Sequence, residues 1–410
     1  MPARAPGRSP DTNAQITQAT PTTQVHHALA ASRARLAAHD DAILRSQITV
    51  AQIGAPTGEE TERGAWVARR FRDCGLQDIH TDRAGNVIGR RAGDADLAPV
   101  VICAHLDTVF PHGTDLSVRR DGERLVGPGI NDNGRGLAVM LALASEIDGA
   151  RLKPSRPVEF VATTGEEGIG DLRGAKHYFS DRGRDAHAMV ALDGAGDERI
   201  IHRALGSRRF RIAYNGPGGH SWAAFGSPNA VHAAAAAASR LASLPLTTNP
   251  RTTLSVGRIG GGLSVNSIPD SAWLEIDLRS TSTLQLDDIE RAIRRIAQAG
   301  ADDENAKRSL GTRPLRMTIE SIGARPCGET DADHALVQFA IEATRLIGRE
   351  PELALASTDA NVPISQGIPA IAIGAGGRGG DAHTHGEWYD NLHGTLGVAR
   401  ALTIVMAAAG

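Results

Sequence analysis

The stretch at residues 100–108 limits the fold of this 410-residue chain more than any other. Val100, Val101, Ile102, Cys103 and Ala104 form an unbroken apolar run, and His105 and Asp107 follow it at once. A short run rich in β-branched residues suits a strand buried on both faces, as in the centre of a parallel sheet. In open α/β sheets ligands bind beyond the carboxyl ends of the strands, where His105 and Asp107 would stand. His105 can bind a metal through one ring nitrogen while Asp107 holds the other N–H. The plain alternative is a hydrogen-bonded histidine at the start of a loop.

The same arrangement recurs along the chain. A strand over residues 158–162 leads into Thr163-Thr164-Gly165-Glu166-Glu167-Gly168. Another, over residues 188–192, ends at Asp193-Gly194. Asp132, in Asn131-Asp132-Asn133, precedes a helix expected over residues 136–147. Residues 368–373 end in a glycine-rich loop that delivers His383 and His385. No Lys-Ser or Lys-Thr follows those glycines, so the loop is no phosphate cradle; it reads as a mobile approach to a site. Helices between the strands complete an α/β pattern, with a mostly parallel sheet flanked by helices.

In a parallel sheet these strand ends meet at one edge. Histidines and several carboxylates converging there suit Zn²⁺ or a similar divalent ion. One carboxylate shared between two ions, with a further carboxylate and a histidine on each, makes a two-metal hydrolytic site. The adjacent Glu166 and Glu167 divide naturally, one binding metal and the other free as general base. Singly, Asp132 could cap a helix, Asp193-Gly194 could be a turn and the glutamates a solvated loop. Those readings do not explain their joint arrival at successive strand ends.

Length allows roughly two domains. Residues 1–25, rich in Pro, Ser, Thr, Gln and Ala, read as a disordered tail without the apolar core of a signal peptide. Residues 26–53 are helical in pattern, and Thr57 with Glu60 suggests a capping box for a second helix. Residues 205–323 follow the β-α-β-β-α-β order of a ferredoxin-like sandwich. They read as an insertion that splits the α/β domain into residues 26–204 and 324–410. The net charge of −3 makes no case for nucleic acid or an anionic membrane. No run reaches the ~18 apolar residues of a membrane span. Cys74, Cys103 and Cys327 form neither a disulfide framework nor a CxxC site, which permits a reducing cytoplasm.

The pieces AHLDTV, GPGINDNGRG, TTGEEG, LDGAG, GPGGHS, VNSIPDSAWLEIDLR, STDANVPISQGIPAIAIG and AHTHGEW carry a resemblance. From about Asp40 onward the chain resembles the di-zinc exopeptidases and deacylases: peptidase T, carboxypeptidase G, aminoacylase, acetylornithine deacetylase and succinyl-diaminopimelate desuccinylase. The resemblance implies His105, Asp132, Glu167, Asp193 and His383 as metal ligands, with Asp132 bridging. His383 is taken over His385 because the family's His-(Thr/Ser)-x-x-Glu pattern fits His383, Thr384 and Glu387. It implies Glu166 as the base and Asp107 as the partner of His105. It also implies an inserted lid domain that forms a homodimer and sends His220 to the partner subunit's site, with Asn266 and Arg279 lining the substrate. One departure is Arg135, a basic residue one place later than the lysine of many relatives.

The expected activity is therefore hydrolysis of an amide bond in small peptides, with a water activated by two metals and Glu166. Zinc is the first choice of ion, and cobalt or manganese also suit the donors. Thr358-Asp359-Ala360-Asn361 and Asp193 lean toward a peptidase T-like exopeptidase. An N-acyl amino acid deacylase is the alternative. A two-zinc aminopeptidase without a lid is opposed by Gly218-Gly219-His220, and a binding protein of this fold that has lost catalysis is opposed by the filled catalytic positions.

Overall fold

The computed structural model describes residues 20–94 and 96–410. A nine-stranded sheet forms its centre. In spatial order the strands are Gln77–Thr81, Val87–Arg91, Val158–Thr163, Val100–His105, Ala188–Leu192, Ala370–Ile373, Arg199–Ala204 and Gly328–Glu329. Glu352–Ala356 also pairs with Arg199–Ala204. The four strands from Val158–Thr163 to Ala370–Ile373 are mutually parallel. Antiparallel neighbours flank them on both sides, so the parallel character belongs to the centre of the sheet.

Every residue of those four strands is buried, because helices cover both faces. Val100, Ile102 and Ala104 face a core with Leu137, Met140 and Leu141 of Gly134–Gly149 and Val398 and Leu402 of Gly394–Ala409. Val101 and Cys103, on the opposite face, meet Ala175, Tyr178 and Phe179 of Arg173–Ser180. The period-2 alternation of a strand thus feeds two separate apolar layers.

The insertion has the expected order of elements: Gly206–Asn215, Ala230–Ala242, Thr252–Gly261, Ser271–Ser280, Thr283–Ala306 and Arg316–Arg325. Its antiparallel sheet runs Thr252–Gly261, Ser271–Ser280, Gly206–Asn215, Arg316–Arg325. One core joins Phe210, Ile212, Leu274 and Ile276 to Ala233, Ala237, Ile289 and Ile293. The alanines let the two helices touch closely: a Cβ on Gly300 would lie 2.7 Å from the Ala233 carbonyl oxygen.

Two expectations at the amino end need correction. Residues 1–19 of the expected tail lie outside the described residues, but Pro21–Ala28 is a helix. Thr20 caps it by accepting from the Thr23 N–H, and Pro21 occupies its first turn. Thr22 and His26, polar residues that mimic a tail in composition, are buried there. The single helical pattern of residues 26–53 is broken into Ala30–Ala38 and Asp40–Ala51 after that helix. No helix among the described residues is long and apolar enough to cross a membrane.

Candidate active site

His105 ends the central strand Val100–His105 and is buried. Its Nε2 lies 3.0 Å from Asp132 Oδ1 and 3.9 Å from Asp193 Oδ1. Asp132 turns its other oxygen the opposite way: Oδ2 is 3.1 Å from His383 Nε2. That same nitrogen is 2.8 Å from Glu167 Oε1. Two triads result, His105–Asp132–Asp193 and Asp132–Glu167–His383, each with ligand atoms close enough to share one ion. Asp132 belongs to both. His105, Glu166 and Glu167 form a third close group.

The loops that carry these groups are tied from behind. Asp107 is fully buried and accepts N–H bonds from Glu166 and Glu167, each 2.9 Å, and the Thr57 hydroxyl at 2.9 Å. Its Oδ1 is 3.6 Å from His105 Nδ1, and its backbone carbonyl is nearer, at 3.1 Å. Thr57 therefore serves Asp107 and not a capping box. The helix begins at Thr61, and Glu60 accepts from the Gly58 and Gly165 N–H groups. Asn133 caps Gly134–Gly149 and also accepts from Gly194 N–H at 3.2 Å, joining the Asp132 turn to the Asp193 turn. Glu387 accepts N–H bonds from Gly129, Asn131 and Asp132.

The glycine-rich loop is not a loose approach. Arg378–Gly380 pairs with Trp388–Asp390, and that strand pairs onward with Arg124–Val126, so His383 sits at the tip of a braced hairpin. His383 has a left-handed backbone, φ 66°, and its ring reaches the cluster. His385 points elsewhere, edge-on to Phe110 with centroids 5.7 Å apart.

Burial and crowding set the electrostatics. Burial opposes a charge on His105, yet contact with Asp107 and Asp132 raises its pKa well above the usual value. Contact with Asp132 lifts His383 to about 9. Burial, then repulsion from Asp132, pushes Asp193 up to about 7. Burial holds Glu166 well above the usual carboxylate range. Carboxylates packed this closely favour a bound cation. Among the described residues, the buried Asp132 Oδ1 finds no hydrogen-bond partner, although His105 Nε2 is near it. This orphaned oxygen and the mixed imidazole–carboxylate donor set fit a pair of divalent ions.

Sequence reasoning missed two buried groups. Arg325 donates to Glu166 Oε1 at 3.1 Å, and both side chains are buried. Asp359 accepts from the Thr163 hydroxyl at 2.5 Å, while its Oδ1 has no partner among the described residues. Asp359 lay in a quoted motif without a role, and the arginine had no local signal. Three expected site residues do not join the cluster within this chain. His220 is exposed on the strand Gly219–His220, and its Nδ1 accepts from Trp222 N–H. Asn266 is beside it, since His220 pairs with Ser267. Arg279 is held by Asp277 at 2.7 Å, the ion pair that was its plain alternative, and lines a small cavity with Leu205, Arg251 and Leu355.

A comparison with known sequences accounts for this geometry. The profile of Peptidase family M20/M25/M40 matches residues 101–407. The chain belongs to this family. Curated relatives include succinyl-diaminopimelate desuccinylase of Corynebacterium glutamicum, 25% identical over 82% of this chain and 88% of that protein. Acetylornithine deacetylase of Photorhabdus laumondii is 26% identical over 71% of this chain and 75% of its own. Among solved structures, aminopeptidase PepT from Bacillus cereus superposes with a TM-score of 0.72 at 22% identity, covering 90% of this chain and 98% of its own. A Bacillus subtilis protein described as a dinuclear metal-binding peptidase from the M20 family gives 0.64 at 17% identity, covering 92% and 98%. The fold is thus that of the M20 hydrolases, whose members act on C–N amide bonds, and the cluster around Asp132 stands in a family that includes a dinuclear metal-binding peptidase.

Proposed function

We propose that this M20 protein is an exopeptidase that hydrolyses an amide bond of small peptides. His105, Asp193 and Asp132 would hold one divalent ion, and Asp132, Glu167 and His383 the other. The observation that carries the reading is Asp132, whose two oxygens face two different triads. Zinc suits these donors best, with cobalt or manganese as substitutes. When bound, the two ions lower the pKa of water and polarise the scissile carbonyl.

The chain's own groups do the rest. Glu166 takes a proton from the attacking water and returns it to the departing nitrogen. Asp107 orients His105 and, through two backbone N–H bonds, the loop that carries both glutamates. The inserted domain acts as a lid and forms a homodimer, and His220 from a second copy steadies the oxyanion. Exposed Trp222, Phe225, Leu263 and Val265 beside His220 support such a contact surface. Asn266 lines the substrate, and Arg279 exchanges Asp277 for a substrate carboxylate. The location in keeping with this reading is the cytoplasm.

A deacylase acting on N-acyl amino acids is the second reading, favoured by the desuccinylase and deacetylase among the relatives. One screen separates them. The zinc-loaded protein is offered di- and tripeptides beside N-acetyl and N-succinyl amino acids. Turnover of peptides supports the exopeptidase, turnover of acyl amino acids the deacylase, and turnover of neither points to a binding protein.

A further inference from the structure

Arg325 is the last residue of the strand Arg316–Arg325, where the chain leaves the inserted domain and re-enters the α/β domain. Its guanidinium is buried at 7% exposure and contacts Glu166 twice, at the carboxylate Oε1 and at the backbone carbonyl. Ser357 Oγ accepts from it at 3.2 Å. Glu166 Oε2 makes no hydrogen bond among the described residues. One oxygen of this carboxylate is gripped and the other is left free, the arrangement a base needs to receive a proton in a fixed direction.

Neighbouring contacts tie the same glutamate loop to the same domain. Asp171 accepts the Ala324 N–H with both carboxylate oxygens, at 3.0 and 2.9 Å. Arg209, on the paired strand Gly206–Asn215, donates to the Gly168 carbonyl at 2.8 Å. The loop of Glu166 and Glu167 is therefore clamped to the foot of the inserted domain.

We infer that Arg325 is a positioning residue for the reaction. It aims the Glu166 carboxylate and makes that aim depend on the seating of the inserted domain. The inference rests on the reading of Glu166 as the base. A buried guanidinium serving only stability would matter to melting but not to the chemical step in protein that remains folded.

The test compares wild type, Arg325→Met and Arg325→Lys, each zinc-loaded, on whichever substrate wild type turns over. Arg325→Met should lower kcat about tenfold to hundredfold, since small misplacements of a reacting group cost that much. KM and zinc content should stay within about twofold. Arg325→Lys keeps the charge but not the planar fork, and should recover part of kcat. If the Met variant does not fold, the Lys variant decides: reduced kcat at unchanged KM and zinc content supports the inference, and wild-type kcat overturns it. An unchanged kcat in a folded Met variant overturns it as well. If wild type cleaves no amide, the proposed function fails instead, which is a separate result.

Discussion

The Glu387 carboxylate accepts the backbone N–H of Asp132 at 2.8 Å, and with the same carboxylate it takes the N–H groups of Asn131 and Gly129. The residue that closes the His383 hairpin thereby fixes the turn that presents Asp132. The hairpin that carries His383 and the turn that carries Asp132 are linked through this one fully buried side chain. Glu387→Ala would leave buried N–H groups unpaired, at about 1–3 kcal/mol each. Zinc affinity should fall about 10–100-fold, read by chelator competition. Glu387→Gln, which keeps an acceptor oxygen, should lose less.

The two histidines of the hairpin should differ sharply. His383→Ala removes a member of one triad and should leave about one ion per subunit, with little activity. His385→Ala, altering only a ring that leans on Phe110, should keep both ions and most activity. Asp132→Ala should lose both. Metal analysis after exhaustive dialysis distinguishes all three.

His220 stands apart from the cluster of its own chain, so the proposed dimer makes a complementation test available. His220→Ala and Glu166→Gln should each be inactive alone. Denatured together and refolded, the pair should recover about a quarter of wild-type activity, because a mixed C₂ dimer contains one intact site. Absence of recovery in verified mixed dimers would show that each site is completed within one chain.

The amino-terminal helix carries a pH dependence of its own. Burial, with Arg33 and His27 nearby, pushes His26 down to about 4, and its Nδ1 lies 3.1 Å from the Thr403 hydroxyl of the last helix. The folded pKa is below the unfolded value of about 6.5, so the unfolded chain binds more protons between these limits. The stability that neutral His26 provides is complete above about pH 6.5 and is lost as pH falls toward about 4. Melting curves of wild type and His26→Gln should diverge over this window, wild type losing more. Parallel curves would show that His26 does not titrate with folding.

Much of the site was legible because its residues sit where local pattern changes. His105, Glu166, Glu167 and Asp193 each follow an apolar run, and the parallel pairing of Val100–His105 with Val158–Thr163 and Ala188–Leu192 brings those ends together. The groups that were not legible act across long stretches of chain. Arg325 reaches Glu166 over 159 residues, and no spacing rule marks such a pair. Thr57 and Glu60 had the spacing of a capping box, but Asp107 and the Gly165 N–H outcompeted the helix for them. Arg199–Ala204 was hidden by its charged and polar members, with His202 turned to the Thr330 carbonyl. Thr22 and His26 hid a docked helix for the same reason: polar side chains that find partners bury as readily as apolar ones.

The most direct test of the account is the turnover and zinc content of Glu166→Gln, measured on one preparation with the substrate that wild type cleaves. The account predicts about two zinc ions per subunit in both proteins and a loss of at least about 100-fold in kcat for the variant. Near wild-type turnover in zinc-replete Glu166→Gln would contradict it.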